Sequence, residues 1–544
     1  MARTRTSTDG GVTGQRDQWT GQTAFILAAV GSAIGLGNIW RFPGVAYDNG
    51  GGAFMVPYLV ALLTAGIPIL FLDYALGHRY RGSSPLAFRR VVRWAEGLGW
   101  FQVGICFVIA IYYTAVIGWA ASFFFFSFDL RYADDPQGFF FQDYLQMGDP
   151  GFSLHFVPWV LIPLVVVWLV TIAILAGGVA KGIERANVVF IPVLVVTFAV
   201  MVVRALFLDG AADGLNALFT PDWGALGDAN VWIQAYGQIF FSLSIAFGIM
   251  ITYASFRPRR SNLTGPGLVV AFANSSFEIL AGIGVFATLG FLAVQEGVPI
   301  SDLEGLSGVG LSFVTFPAVI AQMPGGQLFG ALFFAALVLA GLTSLVSILQ
   351  VVSSGFQEKF GWNARRSAVG VGSVSAIVSI LLLGTTTGLY FLDTADNWAN
   401  NIGIVGSAVL MTILLLWVLR KGPELRYHLN AVSTFRVGRW WYVCVGVLAP
   451  LLLGYMLVSR IVDLVQHGYP AAPDESYPTW YLLTVGWGAI AFCIVLAVVM
   501  SSMRWRTDPD RFVAWPPYPP EGRQVAAASA ATAPSGTSTG GNRP

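Results

Sequence analysis

The chain has 544 residues, 56% of them hydrophobic and 11% charged, with a net charge of +1 and a mean hydropathy of +0.68. That composition belongs to a polytopic membrane protein and excludes a soluble enzyme; nothing in it points to nucleic acid. Cys106, Cys444 and Cys493 sit in apolar stretches and His78, His155, His428 and His467 are scattered, which argues against a disulfide framework or a metal cluster.

Taken in order, the polar start MARTRTSTDGG shows no cleavable signal peptide, and residues 1–15 are expected to be a disordered cytoplasmic N-terminus. Apolar runs near the 20 residues that a bilayer needs then follow. They lie near 22–45, 53–77, 99–128, 155–177, 184–208, 231–256, 267–294, 327–355, 367–384, 388–418, 440–462 and 479–503, which predicts an all-α protein with twelve membrane helices. The first run contains VGSAIGLGNIWRFP (30–43), with Gly31, Gly35, Gly37, Asn38, Arg41 and Pro43 close together. Gly costs about 1 kcal/mol against Ala in a helix, and Pro clashes with the preceding turn. Irregular backbone survives in lipid only inside protein or beside a wet cavity. The stretch therefore reads either as a helix unwound at midspan around a solute or as glycines that let two helices pack closely.

Charge then orients the chain. Basic residues fill the loops after segments two, four, six, eight and ten, whereas Asp129, Asp134, Asp135, Asp143 and Asp149, then Asp209, Asp213, Asp222 and Asp228, fill the loops after three and five. Of the 30 Lys and Arg, all but Arg41, Arg131, Arg204 and Arg460 fall on one side. The positive-inside rule makes that side the cytoplasm and places both termini there. The apolar stretch 306–323, in the external loop between segments seven and eight, reads as a re-entrant or capping hairpin or as an amphipathic surface helix. From 504 to 544 the composition predicts a disordered cytoplasmic tail.

Segment six carries a second interruption, GQIFFSLSIAFG (237–248), five segments after the first. Paired interruptions in two halves mark a binding site at the interface of inverted repeats, here about 22–208 and 231–418, with 440–503 added. Other midspan polar groups are Asn274, Ser275, Ser276 and Glu278 in segment seven and Thr343, Ser344 and Ser347 in segment eight. Segment ten has Asp393, Asp396, Asn397, Asn400 and Asn401. Hydroxyl, amide and carbonyl oxygens are the hard ligands alkali cations prefer, although interhelical hydrogen bonding would also place Ser and Thr there. A carboxylate at the depth of Glu278 is costly and marks function or a protonated structural acid.

The blocks GLGNIWRFP, NGGGAF (49–54), GIPIL (66–70), IAIYY (109–113), KGIER (181–185), GQIFFSLS, ITYASF (251–256) and AGLTS (340–344) together resemble the neurotransmitter:sodium symporter family, in particular its bacterial amino-acid transporters, over 16–503. The resemblance implies the leucine-transporter fold: a 5+5 inverted repeat with helices 1 and 6 unwound, working by alternating access in the cytoplasmic membrane. It implies two sodium ions, an amino-acid substrate, the lipid bilayer as surroundings, and a homodimer as the assembly to test.

Carried over by residue, the first sodium site would use Ala33, Asn38, Ser242 and Asn274 with the substrate carboxylate, Ser242 standing where the leucine transporter has Thr. The second would use Gly31, Ile34, Ala340, Thr343 and Ser344. Ser32, Ala33, Gly35 and Gly37 would form the backbone side of the pocket, lined further by Ile109, Tyr113, Phe241, Ser242, Ser244, Phe247, Ser344 and Ile348. Gly35 stands where amine-transporting relatives carry Asp, which implies an amino acid that brings its own carboxylate, and the apolar lining favours a neutral, hydrophobic one; Ser32 replaces an Asn and leaves the exact substrate open. Tyr113 and Phe241, with Arg41 and Asp396 above, would form the external gate. Arg16, Trp19 and Glu358 would form the inner one, where Glu replaces the usual Asp and Phe256 a Tyr. Glu278 takes the place of a Ser found in chloride-dependent relatives, which implies chloride independence and offers a route for proton return. Asp73 resembles a buried acid that caps free amides of segment six. A non-transporting sensor of the same fold and a carrier of another small carboxylated solute remain alternatives. An intramembrane enzyme would need a metal cluster or nucleophile–base pair at depth that the scattered histidines do not offer.

Overall fold

A computed structural model describes residues 17–303, 306–470, 476–506 and 508–518. The expected tails at 1–15 and beyond 518 lie outside them. The chain folds into helices because lipid leaves backbone N–H and C=O groups no partner but each other. In order these are α1 (Gln22–Ala33), α2 (Leu36–Asp48), α3 (Gly52–Tyr80), α4 (Ser84–Val91), α5 (Arg93–Phe126), α6 (Pro158–Ala176), α7 (Val179–Ala205), α8 (Ala211–Phe219), α9 (Ala229–Ser242) and α10 (Ile249–Ser255). They continue as α11 (Thr264–Glu296), α12 (Gly308–Gln322), α13 (Gly326–Phe360), α14 (Ala364–Leu383), α15 (Gly388–Val418), α16 (Gly422–Val432), α17 (Trp440–His467) and α18 (Thr479–Ser502). Among the described residues, β-structure is confined to two isolated bridges, Gly51–Pro221 and Phe156–Thr385.

Ten helices are long and apolar enough to cross a bilayer, and α1 with α2, bent by 54° at their break, makes an eleventh if counted as one span. The expected number of twelve is reached only if α9 and α10, separated by 243–248, are also counted together.

Burial separates the inner helices from those that face lipid. In an apolar 18-residue stretch of α5, 89% of the residues are buried, and 78% in those of α11 and α13, against 33% for α6 and α7 and 28% for α17 and α18. Helices α5 and α13 form the spine, and small residues let them approach: a Cβ on Gly341 would lie 2.5 Å from Ile117 Cγ1. Helix α18 and α4 also pack on α5, while α10 packs on α3.

Two expectations are corrected here. The stretch 306–323 is neither a hairpin nor a surface helix. It forms the single helix α12, with Leu311, Phe313 and Ile320 buried against α13 and the rings of Trp119 and Phe140. The described part of 504–518 does not behave as a free tail but packs on α3, α4 and α16. Composition hid this because Trp505, Phe512, Trp515 and Tyr518 are spaced among Arg, Asp and Pro, without a period that predicts packing.

Candidate solute and cation site

The two breaks face each other at the centre of the bundle. At the first, Ile34 and Gly35 leave the helical region, with φ/ψ of −72°/104° and −134°/−166°. At the second, Ser244 (φ 52°), Ala246 (φ 67°) and Gly248 (φ 95°) lie at positive φ. Non-glycine residues there cost roughly 1–3 kcal/mol each and persist only where their surroundings hold them. Here Ala246 is held from both ends. Its N–H donates to Asp73 Oδ2 at 2.9 Å, and its carbonyl accepts from Gln102 Nε2 at 2.8 Å and Ser407 Oγ at 2.7 Å. The Cys106 thiol donates to Phe247 O at 3.2 Å.

Between the breaks lies a cavity of about 430 Å³. The structure brings all the residues assigned above to the solute pocket to its wall, from Ser32 and Gly35 through Tyr113 and Phe241 to Ser344 and Ile348. Two glycines are there for space: a Cβ on Gly35 would lie 2.9 Å from Ser344 Oγ and 3.0 Å from the Tyr113 hydroxyl, and one on Gly37 would run into the Phe241 ring. The Ser32 hydroxyl is buried without a hydrogen-bond partner among the described residues.

Oxygen donors converge in two places. Asn38 Nδ2 donates to Asn274 Oδ1 at 2.9 Å, Asn274 Nδ2 donates to Ser242 Oγ at 2.9 Å, and Gly35 N donates to Asn38 Oδ1 at 2.8 Å. Nearby, Ser344 Oγ lies 3.5 Å from the carbonyl oxygen of Gly31 and 3.4 Å from those of Ser32 and Ile34. Thr343 Oγ1 is 2.9 Å from Ala340 O. These are neutral oxygens, and no His/Cys/Asp/Glu cluster of metal-binding size occurs among the described residues. Such a donor set suits a hard, weakly held alkali cation and not a transition metal.

The family model for the sodium:neurotransmitter symporter family matches residues 16–136 and 129–508. The chain belongs to that family. It is 38% identical over 492 residues to an uncharacterized sodium-dependent transporter of Methanocaldococcus jannaschii, covering 90% of this chain and 98% of the relative. It is 28% identical to the mouse sodium- and chloride-dependent neutral and basic amino acid transporter B(0+), over 90% of this chain and 86% of that one. Its fold is similar to that of MhsT crystallised in complex with L-phenylalanine, with TM-score 0.70 and 30% identity over 82% of this chain and all of the other. The protein is thus a multi-pass membrane member of a sodium-dependent symporter family, and the relatives it matches are transporters.

In this symporter Arg41 and Asp396 both line the cavity, yet they make no direct ion pair. Arg41 lies over the Phe241 ring, 4.9 Å from its centroid, and Asp396 accepts from Asn400 Nδ2 at 2.8 Å. At the opposite end Trp19 Nε1 donates to Tyr253 O at 3.0 Å, and Glu358 accepts from Ser83 N at 3.0 Å and Ser83 Oγ at 2.5 Å. Arg16 lies outside the described residues. Glu278 is fully buried and accepts from the Tyr58 hydroxyl and, at 2.6 Å, from Gln238 Nε2.

Sequence reasoning missed Tyr112, Tyr469 and the start of α12, which also line the cavity, and the donors Gln102 and Ser407 behind the second break. In the sequence Asp393 reads only as a polar residue of segment ten. It accepts from the hydroxyls of Tyr469 at 2.8 Å and Tyr477 at 2.9 Å, side chains of the α17–α18 connection that no local signal ties to it.

Proposed function

We propose that the protein is a sodium-coupled, chloride-independent importer of a neutral, hydrophobic amino acid, with α1/α2 and α9/α10 each forming one of twelve membrane spans unwound at midspan. The observation that carries the reading is the crowding at Gly35. A Cβ there would lie 2.9 Å from Ser344 Oγ and 3.0 Å from the Tyr113 hydroxyl, so any side chain would displace both; with glycine the position carries no charge of its own, and the negative charge comes with the solute. An α-carboxylate would meet the Tyr113 hydroxyl, the free Ser32 hydroxyl and the amide end of α2, where a helix N-terminus favours an anion. Ile109, Phe247 and Ile348 offer the rest of the solute an apolar wall, and MhsT, similar in fold, was crystallised with L-phenylalanine.

Ala33, Asn38, Ser242 and Asn274 would hold one sodium ion together with that carboxylate. Gly31, Ile34, Ala340, Thr343 and Ser344 would hold a second. A shared oxygen couples ion and solute, since each raises the other's affinity. Glu278 supplies, between Tyr58 and Gln238, the fixed negative charge that a chloride ion would otherwise bring. Arg41 and Asp396 would close the outer gate; Trp19 and Glu358 belong to the inner one.

Uptake of labelled amino acids into proteoliposomes tests this reading. Accumulation of a hydrophobic amino acid is expected with an inward sodium gradient, equal in chloride and in gluconate. No sodium-dependent uptake of any amino acid overturns the substrate class, and stimulation by chloride overturns the role of Glu278.

A further inference from the structure

On the wall of the solute cavity two carboxylates of α15 stand one turn apart, and both are satisfied by neutral donors. Asp393 accepts from the hydroxyls of Tyr469 at 2.8 Å and Tyr477 at 2.9 Å. Asp396 accepts from the side-chain amide of Asn400, one turn further along its own helix, at 2.8 Å. The hydroxyl of Tyr112, on α5 beside Tyr113, faces both Asp396 and Asn400. Asn400 and Tyr112 are themselves buried, so they meet Asp396 from within the bundle and not from solvent.

Arg41 lines the same cavity and has no carboxylate within ion-pair distance among the described residues; it rests over the Phe241 ring, 4.9 Å from the centroid. A guanidinium can grip a carboxylate through two parallel charge-assisted hydrogen bonds, which a neutral amide or hydroxyl does not match. Moving Arg41 onto Asp396 therefore exchanges neutral donors for a charged one. The balance between the two arrangements depends on how firmly the neutral donors hold. The backbone around Asn400 is unusual too. Helix α15 is wound as an α-helix up to Trp398 and again from Val405, but Ala399–Ile404 between them takes the wider π pattern. Such turns are rare and collect at functional sites. This one begins directly behind Asp396.

We propose that Asn400 is a positioning residue for the outer gate: with Tyr112 it holds Asp396 away from Arg41 and so sets how much of the time the cavity stands open. Removing either donor releases the carboxylate to the guanidinium and closes the cavity. That Arg41 and Asp396 form the outer gate rests on the function proposed above; opening itself is measurable without any solute.

The test is the rate at which a charged methanethiosulfonate modifies the purified full chain carrying Val45→Cys, in sodium-containing buffer. Val45 is a half-buried residue of α2 that lines the cavity. The chain without that substitution, whose Cys106, Cys444 and Cys493 are all buried, gives the background. Asn400→Leu keeps the volume and deletes the donor, and Tyr112→Phe deletes the hydroxyl alone. The two residues lie on different helices, so either variant remains informative if the other fails to fold. Each is expected to slow modification at least about fivefold, the low end of ordinary conformational coupling. Asn400→Gln, which keeps a donor amide, should recover part of the rate. In an Asp396→Asn background, Asn400→Leu should change nothing further, because the released group no longer carries the charge that draws Arg41. Unchanged or faster modification in both variants overturns the proposal. So does an equal slowing in the Asp396→Asn background, the mark of a merely structural role. Slower modification without uptake of any amino acid upholds it and condemns only the substrate reading.

Discussion

Gly35 has an extended backbone that any residue adopts, so its lack of a side chain is a matter of space and not of conformation. Gly35→Ala should therefore fold normally and bind poorly. Its Cβ would push on Ser344 Oγ and the Tyr113 hydroxyl, and a loss of about 1.4 kcal/mol there raises the apparent Kd tenfold. Substrate affinity measured beside thermal stability checks this; equal losses in both would contradict it. At this scale much of the site was legible, because GLGNIWRFP and GQIFFSLS concentrate residues that a plain membrane helix avoids. Illegible were groups whose partners come from remote chain, such as Asp393 with Tyr469 and Tyr477.

At the scale of the element, the second break shows what local sequence conceals. Gly237 and Gly248 announce an interruption, but the strained residues between them are Ser244 and Ala246, not glycines. Ala246 is held by Asp73 on α3, Gln102 on α5 and Ser407 on α15, and the Ser244 hydroxyl donates to Ser32 O across the cavity wall at 2.9 Å. Asp73→Ala removes the acceptor of the Ala246 N–H, and a buried donor left unsatisfied costs about 1–3 kcal/mol. We expect a lower unfolding temperature and reduced uptake, with Asp73→Asn restoring most of both, since an amide oxygen can still accept. Recovery by Asn no better than Ala would show that the charge matters more than the hydrogen bond. Helix α12 teaches the same lesson from the other side: its length alone could not distinguish hairpin from surface helix, and aromatic packing on Trp119 and Phe140 decided the outcome.

For the whole molecule, alternating charge foretold which ends of the helices lie together, but not that the chain's last described residues would be gathered into that face. There His428 on α16 shares a 2.9 Å hydrogen bond with His78. Burial, with His78, Arg79 and Arg81 nearby, holds the His428 imidazole well below its ordinary value of 6.5. Below about 6.5 the unfolded chain then binds a proton that the folded one refuses, so stability falls as pH drops. Glu424, on the same helix, is held below its ordinary value by Lys421 and Arg79 against the opposing effect of burial, and works in the same direction only at much lower pH. Unfolding temperatures in detergent should thus decline between pH 7.5 and 5.5, and His428→Gln should flatten that decline. An unchanged slope in the variant would rule this group out.

The separation of Arg41 from Asp396 has a kinetic meaning. One cavity joins the centre of the bundle to both side chains and to the start of α12, while Trp19 and Glu358 keep their partners at the other end. With those four side chains as the two gates proposed above, this arrangement would make the protein a well with one mouth. A solute would then reach equilibrium with a single compartment, affinity measured in this state would report loading alone, and net flux would belong to the states that follow.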